Sequence, residues 1–144
     1  MRIAILEDDD RRIERMRAVL ASICPRHEAF FFYSAPDLID WLQDNLDRLD
    51  LISLDHDLMP PLEEGAPSRD VGTGRDVADF LSRQKPASPV IVHTSNSLAA
   101  PVMEGTLTGS GWEVKRVVPF LDLEWIDSAW LVCVARTAGQ IPTP

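Results

Sequence analysis

Leu51-Ile52-Ser53-Leu54-Asp55-His56-Asp57-Leu58 is a short, mostly apolar run that stops in two carboxylates with an imidazole between them. A run of this length bounded by polar residues reads as a buried strand. In an open α/β sheet such a strand delivers the side chains beyond its carboxyl end to the crevice where ligands bind. Two other runs end the same way: Ile3-Ala4-Ile5-Leu6 leads into Glu7-Asp8-Asp9-Asp10, and Val90-Ile91-Val92 into His93-Thr94-Ser95-Asn96. If the three strands lie parallel, up to six carboxylates, two histidines and a pair of hydroxyls meet on one rim. That grouping suits metal and phosphate chemistry.

Outward from these strands, β-rich runs alternate with helical patterns, as in repeated βα units around a parallel sheet. Ile13, Met16, Arg17 and Leu20 recur at helical spacing before Pro25, and Ala29-Phe30-Phe31-Phe32-Tyr33 forms a second strand. Ser34 is a plausible N-cap for a helix with Pro36 in its first turn and Leu38, Ile39, Leu42 and Leu46 as its buried stripe. From Met59 to Gly74 the pattern lapses, with three prolines and three glycines. Loops beyond about 12 residues are usually functional or disordered, which leaves a lid or specificity loop and plain disorder both open here. A third helix runs from Arg75 to about Gln84 and a fourth from about Ser97 to Leu107. Strand five covers Glu113 to Val118, and a last helix from Asp122 to Ala138 docks Trp125, Ile126, Ala129, Trp130, Val132 and Cys133 on the sheet. No repeat interrupts the pattern, so residues 1–144 read as a single domain.

The chain of 144 residues is long enough to bury most of its apolar surface without staples. Its net charge of −9 repels a phosphate backbone, which excludes unaided binding of long nucleic acid but allows a small phosphorylated ligand held through a cation. Cys24 and Cys133 sit in apolar helical patterns without metal-ligand spacing and read as buried, reduced thiols. Met1-Arg2 leads straight into a strand, with no signal-peptide pattern, and no 18-residue apolar span occurs. The expectation is a soluble, cytoplasmic protein with no membrane partner.

Five βα units, an acidic cluster after strand one, Asp55 ending strand three and Thr94 after strand four resemble the receiver domain of two-component response regulators over almost the whole chain. The resemblance implies a three-layer α/β/α sandwich with a five-stranded parallel sheet in order 2-1-3-4-5, the flavodoxin-like topology. It also implies that Glu7, Asp8 and Asp55 hold Mg2+, with the backbone carbonyl of Asp57 as a further ligand, and that Thr94 meets the phosphoryl group. Receivers carry a lysine immediately before the proline after strand five, and Val118 stands there instead. Leu54-Asp55-His56-Asp57-Leu58 together with His93-Thr94-Ser95-Asn96 and Met103 is similar to the divergent receivers described as cyclic-phosphate-processing domains. That similarity implies a metal-dependent phosphoesterase acting on a cyclic phosphate, either an RNA end or a small cyclic nucleotide.

The residues themselves support this chemistry by type. Clustered carboxylates repel one another unless a cation neutralises them or some stay protonated. Mg2+ or Mn2+ takes carboxylates, waters and substrate phosphate, which suits Glu7, Asp8 and Asp55, whereas Asp9 and Asp10 equally well start the first helix. His56 and His93 are two of three histidines, and a histidine pair fits a reaction that must activate water and protonate a leaving oxygen. Either one could instead be a metal ligand or a ligand's hydrogen-bond partner. The expected catalytic set is Asp55, His56, Asp57 and His93. Thr94, Ser95 and Asn96 would bind phosphate at a helix N-terminus, although Ser95 or Asn96 could serve only as a cap. Arg116 would neutralise phosphate or pair with a buried carboxylate, and Met103 reads as packing. Two alternatives remain: a signalling receiver phosphorylated on Asp55 by a partner kinase, and a silent pseudo-receiver acting through protein contacts.

Overall fold

Each apolar run forms a parallel strand, and each helical pattern packs an apolar stripe on the sheet they build. The computed structural model describes residues 1–60, 69–120 and 122–140. Its strands are β1 (Arg2–Leu6), β2 (Glu28–Phe32), β3 (Leu51–Leu54), β4 (Val90–His93) and β5 (Val114–Val117). Its helices are α1 (Asp10–Ile23), α2 (Ala35–Asn45), α3 (Gly74–Leu81), α4 (Ala99–Gly109) and α5 (Leu131–Thr137), the last preceded by a π turn at Ile126–Trp130. The sheet is wholly parallel in order β2-β1-β3-β4-β5, as expected.

Side-chain alternation along the strands divides the core into two halves. Ala4, Leu6, Ile52, Leu54, Val90 and Val92 face α2, α3 and α4, where Leu38, Val77 and Met103 complete the packing. Ile3, Ile5, Leu51 and Ile91 face the opposite layer, built from Met16, Val19 and Leu20 of α1 and from Trp125, Ile126, Trp130 and Val134. Continuing the odd-numbered register past the strand ends carries Glu7, Asp55 and His93 onto this second face, beneath α1 and the two tryptophans.

The helix starts follow their capping residues. Asp9 accepts hydrogen bonds from the backbone N–H groups of Arg11 and Arg12, Ser34 caps α2 through the N–H of Asp37, and Thr73 with Asp76 forms a capping box for α3. The expected boundaries shift by a few residues; α4 starts at Ala99 because Asn96 lends its side-chain oxygen to the N–H groups of Leu98 and Ala99. Of the four residues at helical spacing in α1, Arg17 is the exposed one, its guanidinium lying 4.2 Å from the Phe31 ring centroid, and one burial expectation needs correction. Ala129 is exposed as well, because the π turn places residues five apart on one side, so that Trp125 and Trp130 both face the sheet.

Cys24 and Cys133 are free thiols, half-buried rather than fully enclosed. Much of the long connection expected at Met59–Gly74 lies at 61–68, outside the described residues. Its described end is tied down where the Ala35 N–H donates to the Val71 carbonyl and the Gly74 N–H to the His56 carbonyl. Among the described residues no helix is long and apolar enough to cross a membrane.

Candidate metal and phosphate site

Strand register decides which rim residues become neighbours. β1 pairs with β3 so that Leu6 lies opposite Leu54, and β3 pairs with β4 so that Leu54 lies opposite Val92. One residue further on, Glu7, Asp55 and His93 therefore leave the sheet side by side. They do so at the point where the strand order reverses, between β1 and β3, which is where open α/β sheets form their ligand crevice.

Glu7 is 0% exposed, an unusual position for a carboxylate. Its Oε1 accepts the backbone N–H groups of Asp8 and Asp9, each at 3.0 Å. Its Oε2 lies 3.3 Å from His93 Nε2 and 3.5 Å from Arg12 Nη1, yet neither contact is aligned as a hydrogen bond. Burial acts to raise this carboxyl, but the contact with His93, its electrostatic field and Arg12 together hold it below the usual range.

Asp55 experiences the opposite balance. Burial pushes its carboxyl up to about 6, and the charge of Glu7 adds to the effect against the counteracting fields of His93 and Arg12. Asp8 is also raised, through burial and the proximity of Glu7, although its Oδ2 accepts the Met59 N–H. One oxygen from each of Glu7, Asp8 and Asp55 falls within 4.8 Å of the others. Three convergent oxygens, two carboxyls displaced toward protonation and an orphaned Glu7 Oε2 describe a site short of positive charge. A hard divalent cation such as Mg2+ or Mn2+ suits that donor set.

The triad borders a cleft of about 550 Å³ lined by Asp8, Asp9, Arg12, Asp55, Asp57, Thr94 and Ser95, among others. Asp57 is exposed there, with Asn96 Nδ2 3.3 Å from both its oxygens and His56 Nε2 3.8 Å from Oδ1. His56 itself is partly covered, its Nδ1 buried without a partner. Thr94 is buried and accepts the Asn96 N–H through Oγ1, whereas Ser95 is exposed. Asn96 does two jobs without lining the cleft itself: Oδ1 caps α4 and Nδ2 faces the cleft residue Asp57.

His93 and Arg116 stand apart from the expected arrangement. His93 is 0% exposed, stacked on Trp125 with ring centroids 5.6 Å apart, and does not line the cleft. Its Nδ1 lies 2.8 Å from Ser53 Oγ, which also accepts the Trp130 Nε1–H at 3.0 Å. Ser53 Oγ can accept from both nitrogens or give its own proton to His93 Nδ1, depending on the imidazole tautomer, and His93 Nε2 faces Glu7. His93 thus faces Glu7 rather than the cleft, and the expected histidine pair on the rim is not assembled. Arg116 donates to the Thr94 carbonyl at 2.8 Å and lies 3.5 Å from Glu104; it is not among the cleft-lining residues.

Three contributors escaped the sequence reading. Ser53 was detectable as a polar residue inside a fully buried strand, which has to find partners. Arg12 was detectable as a basic residue in the first turn of a helix, against the macrodipole. Gly74 had no such signal. A Cβ there would lie 2.0 Å from the Asp55 carbonyl oxygen, a closeness created by α3 packing end-on against the rim.

This fold is that of receiver domains. The chain is similar to the response regulator receiver domain from Rhodospirillum rubrum, with 16% identity and a TM-score of 0.69 over 100% of this chain and 97% of that one. It is similar also to the phosphorylated cyanobacterial phytochrome response regulator RcpA (16% identity, TM-score 0.71, 99% and 97% covered). A third similar structure is the Mn2+-bound form of response regulator Rcp1 (17% identity, TM-score 0.63, 99% and 98% covered). At such identities the likeness shows the fold alone. No curated protein sequence matches the chain. The chain belongs to the cyclic-phosphate processing receiver domain family, whose model matches residues 3–109.

Proposed function

We propose that this protein is a metal-dependent phosphoesterase that opens a cyclic phosphate, carried on an RNA end or a small cyclic nucleotide. The observation that carries the reading is the convergence of Glu7, Asp8 and Asp55 beside a cleft that also presents Thr94 and Ser95. Bound by these three carboxylates, Mg2+ or Mn2+ would neutralise phosphoryl charge and lower the pKa of a bound water.

The remaining work falls to the chain. In ring opening a water oxygen bonds to phosphorus, one ribose oxygen leaves and takes up a proton, and a phosphomonoester results. Asp57, exposed in the cleft and steadied by Asn96, receives the proton of the attacking water, and His56 beside it relays protons at neutral pH. The Thr94 and Ser95 hydroxyls orient the phosphate at the mouth of the cleft. His93 acts at one remove, holding Glu7 in its ligating position.

The test is hydrolysis of 2′,3′-cyclic nucleotides and cyclic-ended RNA by the purified protein with Mn2+. Monoester formation that requires the metal and is lost in Asp55→Asn is expected; no turnover of either substrate class would remove the proposal. A second reading is supported by Asp55 lining the cleft of a receiver fold: phosphorylation of Asp55 as a signal. A lasting, stoichiometric mass increase after incubation with acetyl phosphate, absent in Asp55→Asn, would favour it.

A further inference from the structure

The acid cluster carries its own cation, and that cation is loosely held. Arg12 Nη1 lies 3.4 Å from Asp55 Oδ2 and 3.5 Å from Glu7 Oε2, so a single nitrogen is shared between two buried carboxylates. Its Nε is 4.0 Å from Asp9 Oδ2, and its guanidinium carbon stands 5.6 Å from the Trp125 ring centroid. Neighbouring arginines on the same helix behave differently. Arg15 grips both oxygens of Asp127 at 2.9 and 2.5 Å, and Arg11 meets Asp122 at 2.7 Å. Arg12 therefore balances charge without the paired, short hydrogen bonds by which a guanidinium commits itself to one carboxylate.

Its surroundings offer a second position. The Arg12 side chain is 25% exposed, whereas Glu7 and Asp55 are nearly sealed, and it lines the cleft together with Thr94 and Ser95. Among the described residues lining that cleft, the other cation is Arg11, already engaged with Asp122. A planar guanidinium fork fits two phosphate oxygens, which an ammonium cannot match. Two cations cannot both sit at full strength between Glu7 and Asp55, because they repel each other at close range.

We propose that Arg12 is the resident counter-cation of Glu7 and Asp55 in the metal-free protein and the phosphate clamp of the metal-loaded one. When Glu7 and Asp55 ligate a divalent ion they no longer hold the guanidinium, which turns into the cleft and grips phosphate opposite Thr94 and Ser95. The proposal rests on these carboxylates being the metal site, but does not require that the protein be an enzyme.

The test measures binding, not turnover. Mn2+ affinity is read from the free-ion electron paramagnetic resonance signal, and inorganic phosphate affinity is then read on the Mn2+-saturated protein, for wild type, Arg12→Gln and Arg12→Lys. Arg12→Gln is expected to bind Mn2+ more tightly, having lost its competitor, and to bind phosphate on the order of tenfold more weakly. Arg12→Lys should restore wild-type Mn2+ affinity but only part of the phosphate affinity, and it decides the matter alone if the glutamine variant does not fold. Weaker or unchanged Mn2+ binding in Arg12→Gln, or full phosphate affinity in either variant, would overturn the assignment of Arg12. Wild type failing to bind Mn2+ would remove the metal site itself, and Arg12's role with it.

Discussion

His93 Nε2 and Glu7 Oε2 face each other 3.3 Å apart, and neither side chain has any exposed surface. A buried carboxylate facing a buried imidazole is costly unless the pair is completed from outside. Here His93 Nδ1 is met by Ser53 Oγ, which also accepts the Trp130 N–H. On the other side, Glu7 Oε2 and His93 Nε2 have no hydrogen-bond partner among the described residues.

If His93 acts by holding Glu7, replacing it should harm the metal site before it harms proton transfer. His93→Gln is expected to weaken Mn2+ binding, whereas His56→Gln should leave Mn2+ binding near wild type and lower turnover by on the order of 10²- to 10⁴-fold. Mn2+ titration and steady-state rates on a cyclic nucleotide check both, provided each variant unfolds cooperatively. The reverse pattern would return His93 to the role of proton donor.

Ser53→Ala removes the partner of two buried nitrogens at once. Leaving Trp130 Nε1 and His93 Nδ1 unpaired should cost about 1–3 kcal/mol for each group affected, as read from urea denaturation. A loss within error of zero would mean that water takes over both contacts.

Asp55 links stability to pH and, under the proposed function, to metal. Its folded carboxyl titrates near about 6 against an ordinary 3.8, so the protonated form contributes stability that is complete below 3.8 and lost as pH rises through about 6. A gap of this size is on the order of 3 kcal/mol. In chelator, Asp55→Asn should therefore be more stable than wild type at about pH 8 and similar to it below about pH 4. Adding Mn2+ closes most of that gap at high pH: wild type gains about 2.7 kcal/mol at 100 times the dissociation constant and the variant gains little. Thermal melts over pH, with and without Mn2+, test both signs.

Two glycines make a paired control on packing. Gly74→Ala would push a methyl to within 2.0 Å of the Asp55 carbonyl oxygen and 2.9 Å of Met103 Cε, so α3 or the rim must move. Overpacking of this kind costs about 1–3 kcal/mol, and Mn2+ affinity should fall with it. Gly105→Ala, in α4 with nothing within 4 Å of the new methyl, should instead stabilise by roughly 0.5–1 kcal/mol. Equal effects at the two positions would remove Gly74 from any role in placing Asp55.

The strands and the acidic ends of β1 and β3 were legible in the sequence because their information is local. A buried strand announces itself by a short apolar run, and a break from Leu54 to Asp55 or from Leu6 to Glu7 marks where the chain leaves the sheet. Helix starts at Asp9 and Ser34 were equally local, since a cap bonds to backbone only two or three residues away. The end of the chain was less legible. The π turn changes the helical phase within one turn, so periodicity read as ordinary α-helix placed Ala129 on the wrong side.

By itself, then, the sequence determined the order of the elements and the kinds of side chain gathered at the carboxyl rim, because alternation and capping act over a few residues. Only the tertiary structure decided which of those side chains meet. The β1–β3–β4 register set Glu7, Asp55 and His93 abreast, and the packing of α1 and the tryptophans over that face buried His93 and brought Arg12 to the carboxylates. Burial and charge pairing depend on residues tens of positions apart, so His56 and His93, alike as motif residues at strand ends, acquired different surroundings: one stands beside the cleft aspartate and the other is sealed behind Glu7.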